Sequence, residues 1–419
     1  MNYCSRCVYP SNHPLNLTFD DKNICSGCRV HEEKDNLDWT IRLEKLKKLV
    51  APYKKSSRSI NNCIVPVSGA RDSYFILHIV KNVLGMNPLL VTYNKHYNTK
   101  LGIRNLSYLK TLFGCPLFTM TVSPEKVKKI THETLNDLGS IYWHCIAGQT
   151  VFPVQIAYKF KIPLIIWGAH QGVDQVGMFS HLDEVEMTRK YRKEHDLMGF
   201  EAEDLIDLNT LNIKDLQSYL YPHDKEIEAV GIRGIYLNNY IRWDSKAQHE
   251  KMIKLYGYET NSQQRTFDTY NDVDCYHYSG LHDFIKFIKH GYGKVSDHAS
   301  REIRLKRLTR NRAIDLVKKY QNINPSDEQL FCNWLGISKN ELRRKVDNFR
   351  SREIWNYKNQ SWIMNDSVIN NENLISKSEA LIDKSKNYFF DSSSKRINRK
   401  DPGKYTLIGK GWVHEKKSK

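Results

Sequence analysis

The segment Ser68–Ser73, with the sequence SGARDS, combines the small, hydroxyl and carboxylate side chains that suit phosphate chemistry. An apolar run at 64–67 predicts a buried strand before it. A helical pattern at 72–84 follows, and Gly85 favours the end of that helix. A tight turn between a strand and a helix points backbone N–H groups and the helix dipole at one place. The segment therefore predicts an anion site, with phosphate as the expected anion.

The same segment is not a Walker A loop, which requires the pattern GxxxxGK[ST]. It resembles the SGGxDS loop of the PP-loop ATP pyrophosphatases, enzymes that cleave ATP between the α and β phosphates. Ala70 stands where that superfamily usually has a second glycine. If φ is positive at this position, alanine costs roughly 1 kcal/mol. The alternative interpretation is an ordinary tight turn in an α/β domain.

Two C-x-x-C pairs, Cys4/Cys7 and Cys25/Cys28, have a separation typical of structural zinc sites. Four thiolates give a tetrahedral Zn²⁺ site with no open position, so the predicted metal folds the segment and takes no part in chemistry. Unpaired thiols or a redox function are the alternatives.

A third cluster follows two glycines late in the chain. Ser296 is predicted to cap a helix, which places Asp297, Arg301 and Arg304 on one helical face. Together with Lys294, this face suits a phosphate or a sugar carboxylate. A salt-bridged surface helix fits the pattern equally well.

His144 and Cys145 stand side by side in the segment 142–149, which is predicted as a loop that contacts substrate. A cysteine beside a histidine suggests a nucleophile, but sequence neighbours seldom form a catalytic pair, so packing is the alternative. The charged segment 177–204 is predicted as a lid or substrate loop, with a solvated surface as the alternative.

These residues are positioned by alternating elements, with strands predicted at 64–67, 88–93, 117–122 and 162–167 and helices at 72–84, 103–113, from 124 and at 149–160. Such alternation predicts an α/β fold with a parallel sheet. Ligands bind beyond the carboxyl ends of parallel strands, here at Ser68, at Tyr93-Asn94 and at Trp167-Gly168. The second end is expected to border adenine and ribose, and the third to face the reacting group.

Further helices are predicted at 37–49, after Thr309, and around 331–335 and 342–350. The predicted domains are a zinc ribbon (1–36), a linker helix (37–57), the PP-loop domain (58–205), a mostly helical substrate or partner region (206–362) and a basic, flexible tail (363–419).

Length and composition set outer limits on function. The 419 residues leave room for two or three domains, and no apolar run is long enough for a membrane span. Nine cysteines, an odd number, and the lack of a signal-like N-terminus lead us to expect a cytoplasmic protein without a disulfide framework. The net charge of +17 fits a nucleotide substrate as well as RNA.

In this order, the motifs resemble the N-acetyl sugar amidotransferases of the WbpG and PseA type, from bacterial surface-polysaccharide and flagellin-sugar pathways. The resemblance covers roughly 1–355. It rests on the cysteine pairs, Ser68–Ser73, Trp143–Cys145, Pro163–Gly168, 291–310, Phe349-Arg350 and Ile354-Trp355. This chain departs from it at Ala70 and at Asn94, where an aspartate is more familiar.

The resemblance implies that ATP and Mg²⁺ activate an acetamido group of a nucleotide-linked sugar, and that ammonia comes from a glutaminase and cyclase-like pair. Neither a membrane nor a nucleic acid is an expected partner. The predicted catalytic residues are Arg71, Asp72 and Ser73. The predicted ATP-binding residues are Val67, Ser68, Gly69, Ala70, Arg71, Asp72, Ser73, Thr92, Tyr93, Asn94 and Gly168. The predicted substrate-binding residues are His144, Cys145, Gln149, Trp167, Lys294, Asp297 and Arg301, and the metal ligands are Cys4, Cys7, Cys25 and Cys28.

Two other functions fit the same motifs. A tRNA-modifying PP-loop enzyme, a thiolase or a lysidine-type ligase, is compatible with a zinc ribbon and a basic chain. Thiolation usually needs paired cysteines, whereas those after the ribbon stand singly in the sequence. A non-catalytic ATP-binding scaffold is the third possibility.

Overall fold

The computed structural model describes residues 1–56, 60–70, 72–208 and 211–371. A five-stranded sheet organises the chain: β1 (Cys63–Pro66), β2 (Pro88–Tyr93), β3 (Leu117–Met120), β4 (Leu164–Trp167) and β5 (Arg233–Tyr236). All paired strands are parallel, in the order β3-β2-β1-β4-β5. The predicted α/β class is confirmed. The direction of winding reverses between β1 and β4, and a crevice opens there at the carboxyl ends of the strands.

Helices cover both faces of this sheet. The helices that precede β1 or connect the strands from β1 to β4 are α1 (Ser26–Asn36), α2 (Trp39–Ser56), α3 (Ser73–Leu77), α4 (Lys100–Phe113), α5 (Pro124–Leu138) and α6 (Trp143–Phe160). Alternate residues of a strand face opposite sides of the sheet, and β1, β2 and β4 are buried on both sides. Val65 and Leu90 pack in the cluster that contains α3, whereas Ile64 and Leu89 pack in the cluster that contains α6.

The helix predicted at 72–84 is confirmed, with a local change in winding. Helix α3 passes directly into a π-helical turn at His78–Val83, and Gly85 follows with a φ of +61°. Left-handed backbone of this kind favours glycine, which is why the helix ends at this residue.

Helix α6 begins at Trp143, so the predicted loop at 142–149 is wrong: the segment forms the first turns of this helix. Trp143, Ala147 and Val151 recur at helical spacing and are buried. Gly148 interrupts the pattern in the sequence because a side chain there would collide with the ring of Tyr93, 2.3 Å from the position of a Cβ atom. Close packing against Tyr93 explains why this helix has a glycine here.

Between β4 and β5 the chain forms short helices: α7 (Gln171–Asp174), α8 (Arg189–Tyr191), a π-helical turn (Arg192–Asp196), α9 (Ala202–Leu208), α10 (Ile213–Leu216), a 3₁₀ turn (Gln217–Tyr219) and α11 (Asp224–Val230). Strand β5 lies beyond the domain end predicted at 205, so that boundary excludes part of the sheet. Only two residues of β5, Gly234 and Ile235, are buried, which leaves no apolar run to detect.

The rest of the described chain is mostly helical, as predicted. It comprises a 3₁₀ turn (Leu237–Asn239), α12 (Ser245–Tyr256), α13 (Leu281–His290), α14 (Lys294–Arg304), α15 (Arg310–Tyr320), α16 (Glu328–Leu335) and α17 (Lys339–Asp347). An antiparallel hairpin of β6 (Trp355–Lys358) and β7 (Ser361–Met364) follows, then a 3₁₀ turn at Val368–Asn371.

The flexible tail predicted from residue 363 begins inside this hairpin, so residues 363–371 belong to the structured part of the chain. The remainder of that predicted tail, 372–419, lies outside the described residues. Among the residues that the structure describes, no helix is both long and apolar enough to cross a membrane.

Candidate functional site

A cavity of about 740 Å³ opens at the carboxyl ends of the central strands. Its volume lies within the range usual for small-molecule sites. Its walls come from the ends of β1, β2, β4 and β5 with the residues that follow them, from the segments 137–153, 187–200 and 272–297, and from His13–Leu15 and Phe349. The segment predicted as a lid or substrate loop therefore borders the cavity.

The loop after β1 presents Ser68, Asp72 and Ser73 to this cavity. The backbone N–H of Ser68 donates to Ser73 Oγ at 2.9 Å, and the backbone N–H of Ala70 donates to Ser68 Oγ at 3.2 Å. These bonds close the turn and leave hydroxyl and carboxylate oxygens on the cavity wall. Arg71, predicted as catalytic and ATP-binding, lies outside the described residues.

The structure requires glycine at position 69 and not at position 70, where the sequence comparison suggested a need for glycine. A Cβ atom at Gly69 would lie 2.0 Å from the carbonyl oxygen of Gly102, so the loop packs directly on helix α4 and requires glycine there. Ala70 is fully buried and is not among the described non-glycine residues with positive φ. The cost expected for alanine is therefore absent. Neither residue lines the cavity, and their predicted contact with ATP is not seen in this geometry.

Of the other predicted nucleotide contacts, Val67, Thr92, Tyr93 and Gly168 lie on the cavity wall. Asn94 does not. Its side-chain oxygen accepts hydrogen bonds from the backbone N–H of His96 at 3.0 Å and from Asn98 Nδ2 at 2.6 Å. The Asn94 amide therefore stabilises the turn after β2 and does not line the cavity.

Gln149 and Trp167, both predicted to bind substrate, also line the cavity. The indole nitrogen of Trp167 is buried and has no hydrogen-bond partner among the described residues. A buried donor without a partner costs free energy, so this nitrogen favours a ligand with an acceptor.

His144 and Cys145 are buried behind the cavity wall and do not line it. His144 Nδ1 is hydrogen-bonded to Tyr93 Oη at 3.0 Å, and the Cys145 Sγ lies 3.5 Å from His144 Nε2. Burial raises the pKa of the Cys145 thiol and lowers that of the His144 imidazole to about 3. Both shifts disfavour a thiolate–imidazolium pair. In this structure both side chains pack in the interior, behind the cavity wall and not on it.

Helix α14 places its predicted residues in different surroundings. Lys294 and Asp297 line the cavity, but Arg301 does not. Arg301 Nη2 lies 2.7 Å from Asp268 Oδ2 and its Nε lies 2.9 Å from Glu302 Oε1, so ion pairs occupy its guanidinium. Residues four apart share a face but lie about 6 Å apart along the axis, where they meet different neighbours. These ion pairs hold the Arg301 guanidinium away from the cavity wall, so the structure does not bring it together with Lys294 and Asp297.

Two further details of α14 differ from expectation. The helix begins at Lys294, with Gly293 at its N-cap, so Ser296 lies within the first turn and does not cap it. Arg304 reaches residues 1–36, which we call the cysteine-rich segment. Its Nη2 lies 3.5 Å from Cys25 Sγ, and its guanidinium carbon lies 5.2 Å from the ring centroid of Tyr9.

Cys4, Cys7, Cys25 and Cys28 form one buried cluster, with their sulfur atoms all within 4.8 Å of one another. The Cys7–Cys25 and Cys4–Cys28 sulfur distances are 3.6 and 4.0 Å. Sulfur ligands of a tetrahedral Zn²⁺ stand about 3.8 Å apart, since each Zn–S bond is about 2.3 Å. The backbone N–H of Cys25 donates to Cys4 Sγ at 3.3 Å, which favours a thiolate. The donor set and its spacing fit zinc.

Several residues that line the cavity were not predicted from the sequence. Lys286 and Lys289 project from α13, and His13 comes from the cysteine-rich segment. Asp196, on the segment 187–200, also lines the cavity, and burial raises its pKa to about 7. No local motif marks these residues, because they meet only through tertiary contacts. The one sequence signal for Lys286 and Lys289 was their position on the helix directly before α14, close to Lys294.

Residues 264–368 match the family described as LPS biosynthesis protein WbpG-like, C-terminal domain. This segment of the chain is a WbpG-like C-terminal domain. It contains helices α13 to α17 and the β6–β7 hairpin. It supplies the part of the cavity wall at 272–297.

A second match is an uncharacterized protein, MJ1599, of Methanocaldococcus jannaschii, with 30% identity over 105 residues. The match covers 24% of this chain and 36% of MJ1599, about a third of that relative's length. Among solved structures, the NH3-dependent NAD synthetase of Campylobacter jejuni, in complex with the nitrate ion, has a TM-score of 0.28 and 16% identity. The alignment covers 46% of this chain and 92% of the synthetase. Because this TM-score is low, the fold assignment depends on the observed sheet and not on the similarity to the synthetase.

Proposed function

We propose that the chain is an ATP-dependent amidotransferase that converts an acetamido group of a nucleotide-linked N-acetyl sugar to an acetamidino group. One observation carries the proposal: the loop Ser68–Ser73 and the WbpG-like segment 264–368 border a single cavity. A loop suited to phosphate and a segment from a family of lipopolysaccharide biosynthesis thus meet at one site. We place this reaction in the cytoplasm, in the synthesis of a surface-polysaccharide or flagellin sugar.

The loop wall is the proposed site for the phosphates of ATP. Ser68 and Ser73 contribute hydroxyl groups, and Asp72 contributes a carboxylate of the kind that Mg²⁺ prefers. Bound Mg²⁺ would neutralise charge on the departing pyrophosphate. Val67, Thr92, Tyr93 and Gly168 would border the nucleoside, as the ends of the central strands do in other α/β folds.

The chemistry follows from the low reactivity of an acetamido carbon. Its oxygen attacks the α-phosphorus of ATP, and the bond to the β-phosphate oxygen breaks to release pyrophosphate. Ammonia then adds to the activated carbon and the C–O bond breaks, so AMP leaves and an amidine remains. The protein's task is to align the groups and stabilise developing negative charge.

The second substrate would lie against Gln149, Trp167, Lys294 and Asp297. The unpartnered indole nitrogen of Trp167 supplies one donor. Asp297 is an acceptor already engaged by Tyr9, Gln175 and Lys286, so its proposed part is to hold the surrounding wall in place.

Ammonia is proposed to arrive from a partner, a glutaminase and cyclase-like pair. The Cys145 thiol is buried away from the cavity and its raised pKa disfavours the thiolate that a glutaminase requires. The isolated chain should therefore make amidine from ammonium at alkaline pH, where more free ammonia exists. With glutamine and no ammonium it should make none, and amidine formation there would contradict the proposed partner.

We also propose a structural Zn²⁺ ion held by Cys4, Cys7, Cys25 and Cys28. When bound, zinc would supply folding free energy to the cysteine-rich segment and no catalytic chemistry, because four thiolates leave no open position.

The function is tested by incubating the chain with ATP, Mg²⁺, ammonium and a panel of UDP- and CMP-linked N-acetyl sugars. Mass spectrometry should show one sugar nucleotide losing mass as NH replaces oxygen, together with AMP. Omission of ammonium is the control and should prevent the mass change. If no member of the panel changes while the chain binds or thiolates tRNA, the amidotransferase proposal is overturned.

A further inference from the structure

We infer that the cavity contains a second anion-binding subsite, on the wall formed by Lys286, Lys289 and Lys294. We call this the lysine wall. The subsite would take the phosphate group or groups of the second, nucleotide-linked substrate. The identity of that substrate rests on the proposed function, but anion binding by the wall does not.

Lys289 is the residue on which the inference depends. Its Nζ donates to the backbone carbonyl oxygen of Leu138 at 2.7 Å, and it lies 5.4 Å from the ring centroid of Phe349. It has no ion pair among the described residues. Burial alone lowers its pKa. A largely buried ammonium that faces only neutral groups is costly, and an anion in the cavity would offset that cost.

The other two lysines keep the wall positive even though each has a partner. Lys286 Nζ lies 2.5 Å from Asp297 Oδ2, and Lys294 Nζ lies 2.7 Å from Asp272 Oδ2. Three ammonium groups thus face two paired carboxylates. Two more aspartates line this part of the cavity: Asp283 pairs with Arg265, and Asp137 is exposed, so solvent screens it.

Three histidines on the same wall respond to this positive field. His13, His282 and His290 each have a pKa lowered to about 3, by burial first and then by neighbouring lysines. They are therefore neutral at physiological pH and add hydrogen-bonding groups without adding charge.

His13 supplies a donor that is suited to a phosphate oxygen. The backbone N–H of Leu15 donates to His13 Nδ1 at 3.2 Å, so the neutral ring carries its proton on Nε2. That nitrogen is buried and has no hydrogen-bond partner among the described residues. The ring is held by stacking on Tyr292, with 5.3 Å between centroids, and Tyr292 Oη also lacks a partner in the described chain. His13 Nε2 and Tyr292 Oη are therefore both available to hydrogen-bond a ligand.

The lysine wall differs from the loop wall in origin. The loop Ser68–Ser73 follows β1, whereas the lysine wall comes from α13, α14 and the cysteine-rich segment. Its lysines lie within the WbpG-like match at 264–368. Two phosphate positions in one cavity are what a reaction between ATP and a nucleotide-linked sugar requires.

The test separates the two sources of phosphate by filling the ATP site first. The full chain is saturated with α,β-methylene-ATP, which resists cleavage between the α and β phosphates, and is then titrated calorimetrically with UDP or with CMP. At least one of these nucleotides should bind. Lys289→Gln should weaken that binding about tenfold or more, as expected for loss of a charged hydrogen bond. Lys289→Arg, which keeps the charge, should retain affinity within about threefold.

Lys126→Gln is the matched control. Lys126 Nζ also donates to a backbone carbonyl, that of Lys214 at 2.9 Å, but this lysine does not line the cavity. Its affinity should equal that of the wild type. If Lys289→Gln fails to fold, His13→Phe removes the Nε2 donor while keeping the stacked ring, and it should weaken binding several-fold.

Three results would overturn the inference: no binding of either nucleotide to the wild type, equal binding to Lys289→Gln, or loss of wild-type binding in the presence of the ATP analogue. These failures are distinct from failure of the proposed function. If amidine forms but Lys289→Gln binds UDP or CMP as tightly as the wild type, only the subsite is refuted. Lys289-dependent binding without amidine formation from any sugar would refute only the amidotransferase.

Discussion

Tyr9 Oη donates a hydrogen bond of 2.9 Å to Asp297 Oδ1, which joins the cysteine-rich segment to helix α14 of the WbpG-like segment. Gln175 Nε2 donates to both of these oxygens, at 2.9 and 3.1 Å. Although burial opposes ionisation of Asp297, Lys286 holds the pKa of its carboxyl below the ordinary value. One charged acceptor thus connects the cysteine-rich segment to helix α14 beside the cavity.

We expect Tyr9→Phe to lower the free energy of unfolding by about 1.5–3 kcal/mol, the range for a hydrogen bond to a charged group. The ring remains to pack against Arg304, so the loss reports the hydroxyl alone. Urea unfolding measures the difference. Tyr276→Phe, at a half-exposed ring, is the control and should change little. Equal stability of the two variants would show that the bond to Asp297 contributes nothing.

Removal of zinc should weaken the connection between the cysteine-rich segment and helix α14. Purified wild-type chain should contain about one zinc ion, and Cys25→Ser should lose it, because three thiolates bind zinc less tightly than four. The melting temperature should fall with the metal. Cys63→Ser changes a buried cysteine of β1 outside the cluster and should retain zinc. Wild-type chain that is folded and active without metal would contradict this account.

Cys145→Ala should leave the chemistry intact, since the thiol is buried behind the cavity wall. We expect kcat/KM within about threefold of the wild type, well below the ~1.4 kcal/mol of a tenfold change. Steady-state kinetics with varied sugar nucleotide provides the value. A hundredfold loss in a variant with the wild-type melting temperature would restore the interpretation of Cys145 as a nucleophile.

Asp196 should make stability fall as pH rises. Burial raises its pKa from 3.8 to about 7 in the folded chain. Between these two values the unfolded chain releases a proton that the folded chain keeps, so the contribution to stability is full below about pH 4 and is lost as pH approaches 7. Asp196→Asn should remove this dependence and raise stability at pH 8 by the order of 1 kcal/mol. Unfolding curves from pH 4.5 to 8 test it, and an unchanged slope in the variant would contradict it.

The parts of this site that could be predicted are those written in local sequence. The loop Ser68–Ser73 follows a strand and opens a helix, and the cysteine pairs carry their spacing with them, so each needs no distant partner to be recognised. The alternation of strands and helices likewise sufficed for the parallel sheet.

What could not be predicted depends on distant partners. Arg301 has the spacing of a binding residue, but its guanidinium is taken up by Asp268, 33 positions away. Lys286 and His13 lie far apart in the chain and come close only because the cysteine-rich segment packs on α14. Strand β5 was missed because its pairing with β4, and not its composition, makes it a strand.

The most direct test of the central claim is the product pattern from ATP in the wild type and in Asp72→Asn. With ammonium and an N-acetyl sugar nucleotide that the chain accepts, the wild type should form AMP and pyrophosphate in step with amidine. Asp72→Asn should reduce all three products about a hundredfold or more, the scale of losing a charge-stabilising group, while its circular dichroism stays unchanged. Asp21→Asn, at an exposed aspartate of the cysteine-rich segment, should behave as the wild type. Release of ADP and phosphate, or equal rates in Asp72→Asn and the wild type, would contradict the account.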